Sequence, residues 1–251
     1  MSMDKARLAD FLRANPFPRP LTDGLFYREK MRAIHRIAPA SLGSKRDPGD
    51  VLEVGGGRSG LAALLYPQAR ITTLDRNFAE LGHGPGAERS TYVCGDACAL
   101  PFADETFDAV TLFDVLEHIE ADDAAAREAW RVVRPGGWIL VSTPDADWRY
   151  PTYEFMRRWC PPEAELMAEW GHVRRGYERS ALAALFGGGP ERSASFINRV
   201  TGFYHDVAFS SLGRRRRKVL YALAAPLTLL GYASHRAQSR GTETAFAWHR
   251  H

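Results

Sequence analysis

From residue 51 onward, short apolar runs alternate with segments whose apolar positions recur at helical spacing. VLEV (51–54) reads as a buried strand, and Leu61, Leu64 and Leu65 mark one side of a helix that Pro67 ends. ITTLD (71–75), TYVCGD (91–96) and FDAVTLF (107–113) supply three further strands. A helix follows through AAAREAWRVV (124–133), then WILVST (138–143) as a fifth strand, with RPGG (134–137) placed as a type II turn. Strand and helix in alternation predict a largely parallel sheet with helices on both faces, a doubly wound α/β fold. Upstream, 4–14 and 24–38 show helical spacing through Leu8, Phe11 and Leu12, then Phe26, Met31, Ile34 and Ile37. NPFPRP (15–20) separates these helices, because proline lacks the amide a continuing helix needs. Downstream the pattern loosens into an aromatic-rich stretch, a helix over 179–186 and the breaker GGGP (187–190). SFINRVTGF (195–203) is expected as a sixth strand, and TETAFAWH (242–249) again has strand character. Residues 1–49 are therefore read as an N-terminal helical arm on a domain spanning 50–251. Within that domain, 144–177 is a lid-like aromatic segment and 205–238 a basic and apolar helical insertion.

Composition narrows the classes. With 251 residues, 45% of them hydrophobic, the chain can bury a sizeable core, so one embellished domain is expected. Lys and Arg total 33 against 30 Asp and Glu, a formal charge of +3, which does not support a nucleic-acid partner. Cys94, Cys98 and Cys160 are too few and too irregular for a disulfide scaffold, and they fit a reducing compartment. The Cys94 and Cys98 spacing has no matching pair elsewhere, so no metal site is expected. The N-terminus lacks a signal-peptide core and no apolar run reaches the ~20 residues of a spanning helix. The expected location is the cytoplasm.

The most informative segment is VLEVGGGRSG (51–60), where a strand enters a glycine-rich turn and then a helix N-terminus. Gly55, Gly57 and Gly60 satisfy G-x-G-x-x-G, a fingerprint shared with nicotinamide-binding folds. Asp75 ends the second strand, where a carboxylate can accept both ribose hydroxyls. Two further acids separate the readings. Glu53, ahead of the glycines, would repel a pyrophosphate but suits an ammonium group, and Asp96, after the third strand, is placed for an exocyclic adenine amine. Together they suit an adenosine with a zwitterionic tail better than a dinucleotide.

These residues resemble the class I S-adenosylmethionine (SAM)-dependent methyltransferases, in particular the type 11 small-molecule branch. VLEVGGGRSG (51–60), ITTLD (71–75), GDACALPFADETFDAV (95–110), LFDVLEHI (112–119) and RVVRPGGWILVSTP (131–144) fall in that family's order, and WGHVRRGYERSALAALF (170–186) is also similar. The resemblance implies a Rossmann-like sheet of seven strands with the last one antiparallel. It implies SAM as cofactor, with Glu53, Gly55 and Gly57 at the methionine moiety and Asp75 and Arg76 at the ribose. Asp96 and Ala97 would hold the adenine, and Phe113 and Asp114 would close the pocket from the fourth strand.

Methyl transfer from a sulfonium needs an acceptor held in line and, for a hydroxyl, a group to take its proton. His118 is the candidate base because LEHI follows the fourth strand, where open α/β sheets place their crevice; the alternative is that it organises the loop. His172 and His205 are further candidates, with packing roles as the alternative. Trp148, Tyr150, Tyr153, Phe155, Trp159, Trp170 and Tyr177 read either as an acceptor lid or as a subsidiary core. RRRRKVLYALAAPLTLLGYASHR (214–236) sets a basic cluster beside a short apolar run broken by Pro226. It reads either as an anchor lying on anionic lipid, with the protein on the inner membrane face, or as an insertion helix packed on the core or a second subunit. The expected activity is methylation of a small-molecule or lipid- or glycan-like acceptor, oxygen first. The rivals are an NAD(P)-dependent oxidoreductase, which lacks a Tyr-x-x-x-Lys pair here, and a non-catalytic SAM-binding protein at a membrane.

Overall fold

A computed structural model describes residues 3–17, 24–42, 49–56, 60–77, 79 and 87–251. The apolar runs become β1 (Asp50–Val54), β2 (Arg70–Asp75), β3 (Ser90–Cys94) and β4 (Phe107–Phe113). They are followed by β5 (Val133–Pro144), β6 (Arg192–Phe196) and β7 (Glu243–His249). These seven strands form one sheet in the order β3-β2-β1-β4-β5-β7-β6. The first five pair in parallel, and β7 runs antiparallel to both β5 and β6. The seven-stranded Rossmann-like sheet with its last strand reversed is the expected one. A two-stranded ribbon joins Met3–Asp4 to Ser41–Leu42 beside it.

The helices are α1 (Leu8–Arg13), α2 (Gly24–Ile37), α3 (Leu61–Leu65) and α4 (Asp122–Val132). Then come α5 (Glu163–Trp170), α6 (Arg179–Leu185), α7 (Arg199–Ala208) and α8 (Arg214–Ser234). Central strands are covered on both faces, which is why Val51, Leu52 and Val54 are all buried and the run does not alternate. On one face, Phe11, Met31, Ile34 and Ile37 of the arm join Leu61 and Leu65 against Val51, Ala109, Leu140 and Ala245. On the other, Ala125, Ala129 and Leu182 cover Leu52, Val110, Ile139 and Trp248. Met31 and Ile34 are fully buried, so each contributes about 1.5–3 kcal/mol of apolar transfer energy that ties the arm to the sheet.

Three boundaries differ from the sequence reading. β3 stops at Cys94, and Asp96 lies beyond it. β5 starts at Val133, with the RPGG turn absorbed as an irregularity: Phe107 pairs with Val133 but Ala109 with Trp138, and Gly136 takes the left-handed φ of +78 that a type II turn asks of its third residue. The expected sixth strand over 195–203 ends at Phe196. Ile197 turns at φ +56, and the Asn198 side chain accepts hydrogen bonds from the amides of Val200 (2.9 Å) and Thr201 (3.1 Å), starting α7. Such an N-cap contributes about 1 kcal/mol. The Asn198 amide also donates to the Gly231 carbonyl (3.0 Å), fastening α7 to α8.

Where α2 meets α7, Glu29 is fully buried, with the Arg32 guanidinium 4.0 Å away. Burial pushes its pKa up to about 7, against opposing contributions from Thr201 and Arg32. The native state then keeps a proton that the unfolded chain sheds near its ordinary value of 4.5. This contribution to stability is full below that ordinary value and is lost as pH rises through about 7. Urea unfolding at pH 5 and pH 8 is expected to show Glu29→Gln gaining stability relative to the parent at pH 8 but not at pH 5. Equal pH dependence of the two proteins would contradict the assignment.

Candidate functional site

The order of the strands reverses between β1 and β4, and a doubly wound sheet opens a crevice beyond the carboxyl ends of its strands at such a point. A cleft of about 630 Å³ lies there, within the range of small-ligand sites. Its lining includes Gly55, Asp75, Arg76, Asp96, Ala97, Asp114 and His118 of the residues expected from the sequence. Val54, Leu74, Val115, Ile119 and Val173 add apolar walls.

The turn after β1 is shaped by close approach. Gly55 has φ +65, its amide donates to the Leu74 carbonyl (2.7 Å), and a Cβ added there would lie 2.5 Å from a methyl of Val115. Gly57 lies outside the described residues. Asp75 ends β2 with its Oδ1 accepting from the Asn77 amide (2.9 Å), and Asp96 accepts from the Cys98 amide (2.9 Å). Each carboxylate is thus oriented by its own turn and keeps acceptor capacity toward the cleft.

Glu53 and Phe113 do not line the cleft. Glu53 is 2% exposed: its Oε1 accepts from the Ala62 amide (3.0 Å) and its Oε2 from the Thr73 hydroxyl (3.3 Å). It therefore satisfies an amide that the first turn of α3 leaves without an intrahelical partner, and it props the glycine turn from below. Burial raises its pKa, with these donors opposing. The strand aims this side chain at the helix, where it braces the turn expected to meet the ammonium group. Phe113 is buried among Leu140, Phe196 and Ile197.

The wall after β4 is the most constrained part of the site. Asp114 adopts φ +55; its amide donates to the Ser142 carbonyl (2.9 Å), its Oδ1 accepts from the Ser142 hydroxyl (2.6 Å), and its Oδ2 accepts from the Lys30 ammonium. Burial lowers the Lys30 pKa, but Asp114, Tyr27 and Glu243 together outweigh it and hold the ammonium above its ordinary range. Just beyond, the Arg174 guanidinium donates to the carbonyls of Leu116 (2.8 Å), Ile119 (2.5 Å) and Glu120 (3.0 Å). The Tyr177 hydroxyl donates to Leu116 (3.0 Å) or Asp122 (2.6 Å). Neither Lys30 nor Arg174 was singled out from the sequence. Their signal is the basic residue in each motif, but only the fold says which loop each one reaches.

His118 is exposed on this rim, its Nδ1 3.2 Å from the Gly171 carbonyl. Its ring meets His172 edge-on at 4.6 Å, and burial, with His118 second, pushes the His172 pKa down to about 4. Glu117, 1% exposed, has its pKa pushed up to about 8 by burial and then by Asp114. A chain of rings leads inward from His172 to Trp170 (5.5 Å) and His205 (5.9 Å from Trp170). His205 is enclosed by Phe26, Trp148, Tyr150 and Phe209, and burial pushes its pKa down to about 4. Trp148 and Tyr150, each 5% exposed, thus build a small second core with Leu166, whereas Phe155 stands exposed.

A methyltransferase-domain family model matches residues 52–141. The chain is 33% identical over 141 residues to the ubiquinone/menaquinone biosynthesis C-methyltransferase UbiE of Paracoccus denitrificans, covering 49% of this chain and only 56% of that protein. With the UbiE of Desulfotalea psychrophila it shares 38% identity over 175 residues, covering 61% of this chain and 68% of that protein. Among solved structures, the N-methyltransferase NodS from Bradyrhizobium japonicum, in complex with S-adenosylhomocysteine, aligns over 97% of this chain and 96% of its own length. That match has a TM-score of 0.54 at 16% identity and is a likeness of fold.

Calorimetric titration with S-adenosylhomocysteine is expected to show binding abolished by Gly55→Ala. Asp75→Ala and Asp96→Ala should each weaken it by roughly ten- to a hundredfold, the scale of a charge-assisted hydrogen bond. Phe113→Leu should stay near the parent value. Parent-like binding by both aspartate variants would remove the cleft as the nucleoside site.

Proposed function

The chain belongs to the SAM-dependent methyltransferases, and on that premise we propose that it methylates a hydroxyl-bearing, lipophilic small molecule presented at an anionic membrane surface. SAM supplies a methyl group on a sulfonium, open to in-line attack. The chain's own residues do the rest. Asp75 and Asp96 accept hydrogen bonds from the ribose and the adenine, with Arg76 and Ala97 beside them, and the Gly55 turn lets backbone approach the amino-acid end. Val54, Leu74, Val115 and Ile119 keep water from the cleft, and Asp114, held by Lys30 and Ser142, fixes the wall facing the acceptor. His118 on the rim takes the acceptor's proton, with His172, kept neutral by burial, at its back.

The observation that carries the acceptor's class is the outer face of α8. Val219, Leu223, Leu227 and Leu230 follow one another at spacings that keep them on one side of the helix, and they are 57%, 74%, 67% and 64% exposed. Arg214, Arg215, Arg216 and Lys218 stand exposed at the helix's first turns, each worth about 1 kcal/mol near anionic lipid. The opposite side, Tyr221, Thr228 and Gly231, is buried. Among the described residues no helix is long and apolar enough to cross a membrane, so α8 is read as lying on one. The relatives' names, which place them in ubiquinone and menaquinone biosynthesis, support the same class. An ionised phenolic or enolic acceptor is nucleophilic at oxygen and at the adjacent carbon. It therefore accommodates both the oxygen expected from the sequence and the carbon in the relatives' names.

With methyl-labelled SAM and a bacterial membrane-lipid extract, label is expected to enter an organic-phase product, and Gly55→Ala should abolish it. Label confined to water-soluble products would contradict the lipophilic acceptor. In flotation at low salt, the protein should rise with phosphatidylglycerol vesicles and remain behind with phosphatidylcholine ones. Leu223→Gln combined with Leu227→Gln should remove that flotation; unchanged flotation of the double variant would mean α8 is not the contact.

A further inference from the structure

We propose that Glu117, His118 and His172 form a binding site for one divalent transition-metal ion, of the zinc or iron(II) kind, on the rim of the SAM cleft. A carboxylate oxygen of Glu117 and one ring nitrogen of each histidine lie within 4.8 Å of one another. Two histidines and one carboxylate are a donor set that zinc and non-haem iron share. The sequence offered no cluster because Glu117 and His118 follow β4 while His172 follows α5; the fold joins them by donating the Val173 amide to the Glu117 carbonyl (3.0 Å).

The independent observation is what these side chains lack. Glu117 is 1% exposed and its Oε1 is buried with no hydrogen-bond partner among the described residues; the His172 Nδ1 is in the same condition. A buried polar atom left unpaired is costly, and two such atoms in one cluster point to a ligand that satisfies both. The surroundings also resemble a metal site's outer shell. His118 Nδ1 sits by the Gly171 carbonyl (3.2 Å), which favours the tautomer that leaves Nε2 as a lone pair, and the Thr143 hydroxyl lies 3.4 Å from Glu117 Oε2. Metal–ligand bonds of about 2.0–2.2 Å require the donors to draw together by roughly an ångström, a side-chain rotation at the exposed His118. That exposure also gives the ion an entry path.

His118 and Val173 line the cleft, so the ion's open positions would face the acceptor. An acceptor hydroxyl bound there would ionise nearer neutrality and release its proton to water, so that with the ion bound His118 would serve as a ligand and no longer as the base. This role rests on the methyltransferase reading; the ion site does not.

The test is titration of the full-length, chelator-treated protein with cobalt(II), followed by visible absorption. One equivalent is expected to give saturable ligand-field bands, displaced by zinc(II). His172→Ala, Glu117→Gln and His118→Ala should each weaken cobalt binding at least tenfold, and circular dichroism with urea unfolding of the same samples reports that each variant is folded. His118→Ala, on the exposed rim, keeps the test decisive should the buried variants fail to fold. His249→Ala with His251→Ala, in the surface group with Glu191, should leave the bands unchanged. No saturable bands, bands that survive His118→Ala, or bands lost with the surface pair would overturn the proposal. Loss of S-adenosylhomocysteine binding by the parent protein would instead strike the methyltransferase reading.

Discussion

Asp114 holds a left-handed backbone that a non-glycine residue occupies only where its surroundings over-determine it. Here they do so from three directions. Ser142 on β5 receives its amide and donates to its carboxylate, Lys30 reaches in from α2, and Val115 fills the space that Gly55 leaves open. The turn after β4 is therefore fixed by the sheet, the arm and the glycine loop at once. Every element of the candidate site that follows in sequence, from Val115 to Ala121, hangs from it.

That arrangement gives the N-terminal arm a part in the site and not only in the core. Met31 and Ile34 bury against the sheet, and on the same helix Lys30 is carried to Asp114. The Lys30 ammonium faces Asp114, Glu117 and Glu243 in this region, and burial raises the pKa of both glutamates. A low-dielectric setting penalises the charged form of a carboxyl, and the Lys30 ammonium offsets part of that penalty. On the far side, Arg174 and Tyr177 clamp the carbonyls of the same turn, which gives the WGHVRRGY stretch a physical role: it closes the rim that LEHI opens.

The strands were legible because central parallel strands are covered on both faces and so are written as plain apolar runs. The places of Gly55, Asp75 and Asp96 on the cleft were legible because each lies at or just past the end of a strand, and a turn's position follows from the run before it. Glu53 shows the other side of this: its place ahead of the glycines is legible, but that its side chain serves the α3 amides is not, because a sequence does not say which way an acid points. The sixth strand was drawn too long because Val200, Thr201 and Phe203 suit a strand, while Asn198, a good cap, carried the signal for a helix. For α8 the basic cluster and the apolar run were both visible, yet only the packing of Tyr221, Thr228 and Gly231 decides which leucines remain outside. The meeting of Glu117 with His172 is a property of tertiary structure and had no sequence signal at all.

The central claim is that one cleft, framed by the turns after β1, β2 and β4, holds the nucleoside of SAM. A crystal structure of the protein with S-adenosylhomocysteine tests it most directly. The account predicts the ribose hydroxyls on Asp75, the adenine against Asp96 and Ala97, and the amino-acid end at Gly55 with Glu53 still bound to the Ala62 amide. A nucleoside seated instead in the polar cleft between Asp145, Arg179 and Arg240 would contradict it, as would a Glu53 carboxylate released from α3 to grip the ligand.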